Sequence, residues 1–167
     1  RVQHVSAEVS PEHFDLFRPN VVLSCLDNLA ARKLVHDECV SRRIPLVNGG
    51  TGPLSGHAEV YFQGVTPCLN CLYDLDGMAA AELAEQADPG RCQRAAEPST
   101  VTTNAAVGAL MVSEAAHCLS SASWGRPVRC MLRYDASSPA RLIAGVARRP
   151  CECAVVDREV RAARAHR

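Results

Sequence analysis

The chain has 167 residues, 47% of them hydrophobic and 22% charged, and its 18 basic side chains cancel its 18 acidic ones. This is the balance of one globular domain with a core of its own. Zero net charge and 4% aromatic content argue against a nucleic-acid surface, which needs a basic footprint or stacking platforms, and no apolar run approaches the roughly 18 residues of a membrane span.

No basic start leads into an apolar signal segment, so a cytoplasmic protein is expected. Because residue 1 is Arg and not Met, a cut or trimmed start is also expected. Residues 2–9 alternate loosely and predict a strand; Pro11 to Phe17 predict a short helix with Ser10 as its cap and proline in its first turn. Asn20 to Cys25, a short apolar run with two valines, predicts a buried parallel strand. Helical spacing of Leu29, Ala30, Leu34, Val35 and Cys39 predicts a helix over Asn28 to Ser41, and Ile44 to Val47 predicts the next buried strand. Strand, helix and strand in this order indicate an α/β fold with a parallel pair.

A glycine-rich stretch, Gly49 to Gly56, leads into a predicted strand over Ala58 to Phe62. Met78 to Gln86 predicts a helix and Asp88 to Ser99 a loop. Thr102 to Ser120 predicts a long helix buried against the sheet. Val128 to Tyr134 and Arg141 to Ala147 predict two further strands, and Val155 to Arg167 an Arg/Ala-rich helix or tail.

Four features carry potential chemistry. Cys68 and Cys71 form P-C-L-N-C; Cys151 and Cys153 form P-C-E-C. Two close pairs can close one four-sulfur zinc site, which would be structural. A redox pair at Cys68 and Cys71, or two unrelated loop pairs, are the other readings. Cys92 lies in D-P-G-R-C-Q-R, where Arg91 and Arg94 would favour its thiolate; it is either a loop nucleophile or an ordinary loop cysteine. Cys25, Cys39, Cys118 and Cys130 fall on predicted core elements and read as small buried apolar residues. Asp27 and Asn28 follow a strand at its carboxyl end, the ligand side of an open α/β sheet. There Asp27 either holds magnesium beside nucleotide phosphates or caps the next helix, while Arg32 faces phosphate or solvent. The run N-G-G-T-G-P-L-S-G lets a backbone approach a ligand closely, but it lacks the Lys-Ser/Thr ending of a P-loop.

Taken in order, S-C-L-D-N-L-A-A-R, then I-P-L-V-N-G-G-T-G-P-L-S-G, then G-V-T-P-C-L-N-C, the sequence resembles the ThiF, MoeB and HesA proteins and the adenylation domain of ubiquitin-activating enzymes. The resemblance covers about Val2 to Cys153. It implies a Rossmann-like mixed sheet with flanking helices, stapled by zinc. It places residues 1–157 in the C-terminal portion of an adenylation domain, with 158–167 as an Arg/Ala-rich tail. The implied activity is ATP- and magnesium-dependent adenylation of the C-terminal glycine of a ubiquitin-like or sulfur-carrier protein. Asp27 would serve magnesium-ATP, with Asn28 and Arg32 beside the nucleotide. Cys68, Cys71, Cys151 and Cys153 would hold structural zinc, and Cys92 would take a thioester or persulfide step. A homodimer or partner subunit is also implied. The family's glycine-rich nucleotide loop would lie upstream of Arg1. Three positions depart from the pattern: C-E-C stands for a second CxxC, no threonine follows Cys92, and His36 stands where asparagine is common. The alternative function is a non-catalytic family member acting as a protein-binding module.

Overall fold

A computed structural model describes residues 2–87, 98–120, 125–128, 131–144, 151 and 153. Its centre is a five-stranded sheet in the order β1 (Val22–Ser24), β2 (Leu46–Thr51), β3 (Ser55–Tyr61), β4 (Met131–Asp135), β5 (Leu142–Ala144). The β1–β2 pair is parallel and the other three pairs are antiparallel. The α/β architecture with a mixed sheet and flanking helices is therefore present.

Side-chain alternation along β2 and β3 divides the sheet into two faces. Val47, Ala58 and Val60 pack against Val107, Met111 and Ala115 of helix α5 (Val101–Leu119). Leu46 and Tyr61 pack on the other face with Phe14 of α1 (Pro11–Phe17), Val35, Cys39 and Val40 of α2 (Leu29–Arg42), Leu69 of α3 (Leu69–Tyr73) and Leu75 of α4 (Leu75–Gln86). Among the described residues, one apolar helix thus lies on one side of the sheet and four shorter helices on the other.

The glycine run turns out to be strand and hairpin. Gly49 and Gly50 lie in β2 and Gly56 in β3, joined by a tight turn in which Gly52 N–H donates to Ser55 O at 2.7 Å. A Cβ at Gly56 would lie 2.6 Å from Val107 Cγ2, and one at Gly49 would run into the Met111 side chain. Gly49 and Gly56 therefore admit α5 to the sheet.

Several boundaries differ from expectation. Residues 2–9 form no strand: they join none of the ladders, and Val2 is 95% exposed. Alternation alone is insufficient where no partner strand accepts the backbone bonds. Helix α3 was not anticipated, because five residues are too short for helical periodicity to show. Strand β2 extends through the glycines to Thr51, since its ladder with β3 supplies the order that propensity does not. The predicted loop at Asp88 to Ser99 lies mostly outside the described residues, as does the tail from 154 onward.

Candidate functional site

Strand β1 ends at Ser24, and the chain turns through Cys25, Leu26 and Asp27 into α2. Asn28 is the cap of α2: its Oδ1 accepts from Ala31 N–H at 2.7 Å. The capping reading of Asp27 is thereby removed, because its neighbour does that work. Asp27 is exposed at the carboxyl end of the parallel strand pair, the position where α/β sheets bind ligands.

The turn is fixed from two directions. From α4, Glu82 Oε2 accepts from Leu29 N–H at 2.7 Å and from Ala30 N–H at 3.3 Å. A carboxylate on unpaired first-turn amides also complements the helix dipole. From α2 itself, Arg32 reaches back. One guanidinium nitrogen donates to Asn48 Oδ1 and to Gly49 O at 2.9 Å, and the other donates to Leu26 O. Arg32, half-buried, thus turns to protein acceptors and ties the residue before Asp27 to the middle of β2. Burial draws its pKa downward, opposed first by the charge of Glu59, and an Arg stays cationic regardless.

Glu59 is the missing counter-charge. It is 1% exposed and faces Asn48 across the β2–β3 ladder. Asn48 Nδ2 donates to Glu59 Oε2 at 2.6 Å, and Tyr73 O–H donates to Glu59 Oε1. His57 Nε2 lies 3.4 Å from the same oxygen, in space kept open by Gly50, whose Cβ would meet that ring. A buried carboxylate is tolerated only when paired and hydrogen-bonded, and here it is both. None of Asn48, Glu59, Tyr73 and Glu82 was singled out from the sequence. The available signal was polarity inside apolar strands, Asn48 after L-V and Glu59 before V-Y.

The second constellation is the cysteine cluster. Cys68 caps α3 and Cys71 lies on its first turn, so one short helix presents both sulfurs. Cys151 and Cys153 join them from far along the chain, and all four sulfurs lie within 4.8 Å of one another. Cys68 Sγ is 3.7 Å and Cys71 Sγ 3.4 Å from Cys153 Sγ. Four thiolates at about 2.3 Å around a tetrahedral zinc stand about 3.8 Å apart, so the donor set fits that ion, and the C-E-C spacing does not prevent it. Burial pushes the Cys68 thiol upward. Burial and the hydrogen bonds of Cys71 and Cys151 push Cys153 up to about 12. At Cys151 burial acts in the same sense, but the N–H groups of Cys153 and Cys68 outweigh it and lower the pKa. A bound cation would draw all four toward thiolate.

Of the other cysteines, Cys39 is fully buried, and burial raises its thiol to about 12. Cys118 packs against the α5 core. Cys25 departs from its expected burial: it is exposed beside the Asp27 turn, its Sγ 3.9 Å from Met111 Sδ, because β1 ends one residue before it. Cys92 and Cys130 lie outside the described residues. The structure therefore brings Asp27, Asn28 and Arg32 together in one place and the four other cysteines in another. Among the described residues, no helix is long and apolar enough to cross a membrane.

The ThiF family model matches residues 1–155. Among curated proteins, the adenylyltransferase and sulfurtransferase MOCS3 of Drosophila persimilis is 46% identical over 59 residues, which are 35% of this chain and 13% of that protein. MOCS3 of Drosophila ananassae is 46% identical over 54 residues, 32% of this chain and 12% of that one. The matched segment is thus about an eighth of these relatives' length. Among solved structures, E. coli MccB with MccA-N7isoASN gives a TM-score of 0.61 at 15% identity, over 90% of this chain and 45% of that one. E. coli MccB with ATP gives 0.57 at 16%, over 87% and 42%. At that identity the likeness is one of fold.

Proposed function

We propose, from the premise that this chain belongs to the ThiF family, that it forms the C-terminal portion, residues 1–157, of an ATP-dependent adenylyltransferase. Its substrate would be the C-terminal glycine of a ubiquitin-like or sulfur-carrier protein, with 158–167 as a tail. The carrier carboxylate attacks the α-phosphorus of ATP, an acyl phosphate bond forms, and pyrophosphate leaves. The observation that carries this reading is the Asp27 turn: an exposed carboxylate at the carboxyl end of the parallel strands, relieved of capping by Asn28 and held by Arg32 and Glu82.

Asp27 would hold magnesium, which supplies charge compensation for the phosphates when bound. Asn28 keeps the first turn of α2 closed, so that Asp27 presents its carboxylate from a fixed backbone. Arg32 adds positive potential beneath the turn, where fixed charge is effective because it needs no reorganisation. Cys68, Cys71, Cys151 and Cys153 would hold structural zinc. Such thiols suit a reducing compartment, and we place the protein in the cytoplasm. Cys92, on the segment after α4, would attack the carbonyl carbon of the acyl adenylate to form a thioester and release AMP; where a donor has first transferred a sulfane sulfur to Cys92, the outer sulfur of that persulfide would make the same attack. Strand β1 is an edge of the sheet among the described residues; this supports a second copy or partner subunit alongside it.

Calorimetry of magnesium-ATP with the chain tests the reading. Binding is expected, and Asp27→Asn should weaken it by roughly 10- to 100-fold, the range for loss of a metal-orienting group. Equal binding by the wild type and Asp27→Asn would overturn the assignment of Asp27. The three bonds of Arg32 to protein acceptors favour a second reading, a non-catalytic protein-binding module. ATP–pyrophosphate exchange with a carrier ending in Gly-Gly would exclude it.

A further inference from the structure

The polar chain under the Asp27 turn is longer than capping or core packing requires. It starts at Leu26 O, passes through the guanidinium of Arg32 and the amide of Asn48, and ends on the carboxylate of Glu59, which also accepts from Tyr73. The bonds from Arg32 to Asn48, from Asn48 to Glu59 and from Tyr73 to Glu59 run toward the carboxylate, while Arg32 donates the other way to Leu26 O and Gly49 O. Asn48 can satisfy both neighbours in only one orientation, Oδ1 to the cation and Nδ2 to the anion. The two charges are thus a separated ion pair with an amide between them; His57 Nε2 also stands 3.4 Å from Glu59, and Asp27 and Glu82 add weaker negative charge around Arg32. An ion pair is not needed to hold these strands, since apolar groups in the same space stabilise as well or better. What the chain does fix is the Leu26 carbonyl, one residue before Asp27.

We infer that Glu59 is a positioning residue: acting through Asn48 and Arg32, it sets the backbone of the Asp27 turn and hence the affinity of that turn for magnesium-ATP. The inference rests on the proposed role of Asp27, and it extends that role to a residue of β3 that touches no ligand. In Glu59→Gln the side chain keeps its size but loses its charge. It cannot accept from both Asn48 and Tyr73 without turning an amide N–H toward one of them. Arg32 then loses the largest of the negative charges acting on it, the one linked to it through Asn48, and its hold on Leu26 O loosens.

The test uses the full chain with Glu59→Gln, Asp27→Asn and the double variant, magnesium-ATP and metal-free AMP as probes, and amide hydrogen exchange over residues 26–31. Glu59→Gln should weaken magnesium-ATP by roughly tenfold, at the lower end of the range for supporting groups, and leave AMP unchanged. In the Asp27→Asn background the same substitution should have no further effect, because coupled residues are non-additive. Exchange at 26–31 should quicken while α5, on the opposite face, keeps its protection. Additive losses, or equal losses for AMP, would overturn the inference and leave Glu59 a structural residue. If the wild type binds no magnesium-ATP, the proposed function fails and the affinity part of the inference fails with it; quickened exchange at 26–31 in Glu59→Gln would then support only the part that Glu59 sets the backbone of the turn, and unchanged protection would overturn that part too.

Discussion

Removing metal from the cysteine cluster should lower the melting temperature by a calculable amount. The cluster joins α3 to a segment far along the chain: Cys68 and Cys151 are 83 positions apart. Treated as a cross-link that restrains the unfolded chain, a closure of that length is worth about 4.5 kcal/mol at 25 °C in the chain-entropy account. For a domain of this size, about 2–4 °C of melting temperature corresponds to each kcal/mol. An excess of chelator should therefore lower the midpoint by about 9–18 °C. Scanning calorimetry with and without chelator reads the shift, and metal analysis of protein purified without chelator should give one zinc per chain. Cys71→Ser should begin near the chelated midpoint and respond little to chelator. A drop under about 2 °C in the wild type, far below the entropic figure, would refute the reasoning: the four thiols would then be neighbours by packing and not a staple.

Gly56→Ala should destabilise more than Gly49→Ala. The new Cβ at 56 meets Gly50 O at 2.7 Å as well as Val107, and a backbone atom cannot swing aside, so a loss of about 1–3 kcal/mol is expected. At Gly49 the obstacle is Met111, a flexible side chain, and Met111→Leu should recover part of that loss; denaturant titration of the three variants checks the order. Glu82→Ala should cost about 1–2 kcal/mol, the worth of a charge-assisted bond at a partly exposed helix start, and should speed exchange at Leu29 and Ala30 before any other α2 amide. Acid stability should depend on Asp37. Burial opposes its ionisation, but bonds to His36 and Lys33 prevail and lower its pKa below the ordinary 3.8. The folded carboxyl therefore binds fewer protons than the unfolded one. Its stabilisation is complete above the unfolded pKa and fades as pH falls through the lower folded value. Asp37→Asn should flatten the stability–pH curve below about pH 4 and leave it parallel to wild type at neutral pH.

The parts of the fold legible in the sequence were those with period and length. Helix α5 shows because its 19 residues leave room for several turns of apolar repeat, and α2 because Leu34, Val35 and Cys39 recur on one side. The cysteine pairs show because tight spacing of soft ligands has few other uses. What stayed hidden depends on contacts between distant segments. Nothing local to N-G-G-T-G tells a ligand loop from a hairpin, and the difference is made by Met111 and Val107, far along the chain in α5. Likewise Asp27 and Asn28 are equally good caps in sequence, and only the backbone geometry of the turn assigns the cap to Asn28. Glu59 lies in the predicted strand A-E-V-Y-F, and nothing in that stretch marks it as buried. It is buried because Tyr73 and Asn48 close over it, and neither belongs to its own strand.

The same contacts link the two constellations. Asp74 ends α3 in a left-handed conformation and starts α4, its side chain accepting from Gly77 N–H. The helix that carries Cys68 and Cys71 is therefore joined through the single residue Asp74 to the helix that carries Glu82. Tyr73, two residues after Cys71, reaches Glu59. One short segment thus anchors a cysteine pair at its start, a sheet carboxylate at its end and, through α4, the first amides of α2. Lys33 reinforces the docking by pairing with Asp76 of α4 at 2.8 Å. If the staple opens, α3 loses the constraint that fixes its axis, and both supports of the Asp27 turn move with it. Loss of metal should therefore be felt at residues 26–31 before it is felt at α5, whose packing against Val47 and Val60 involves none of these groups.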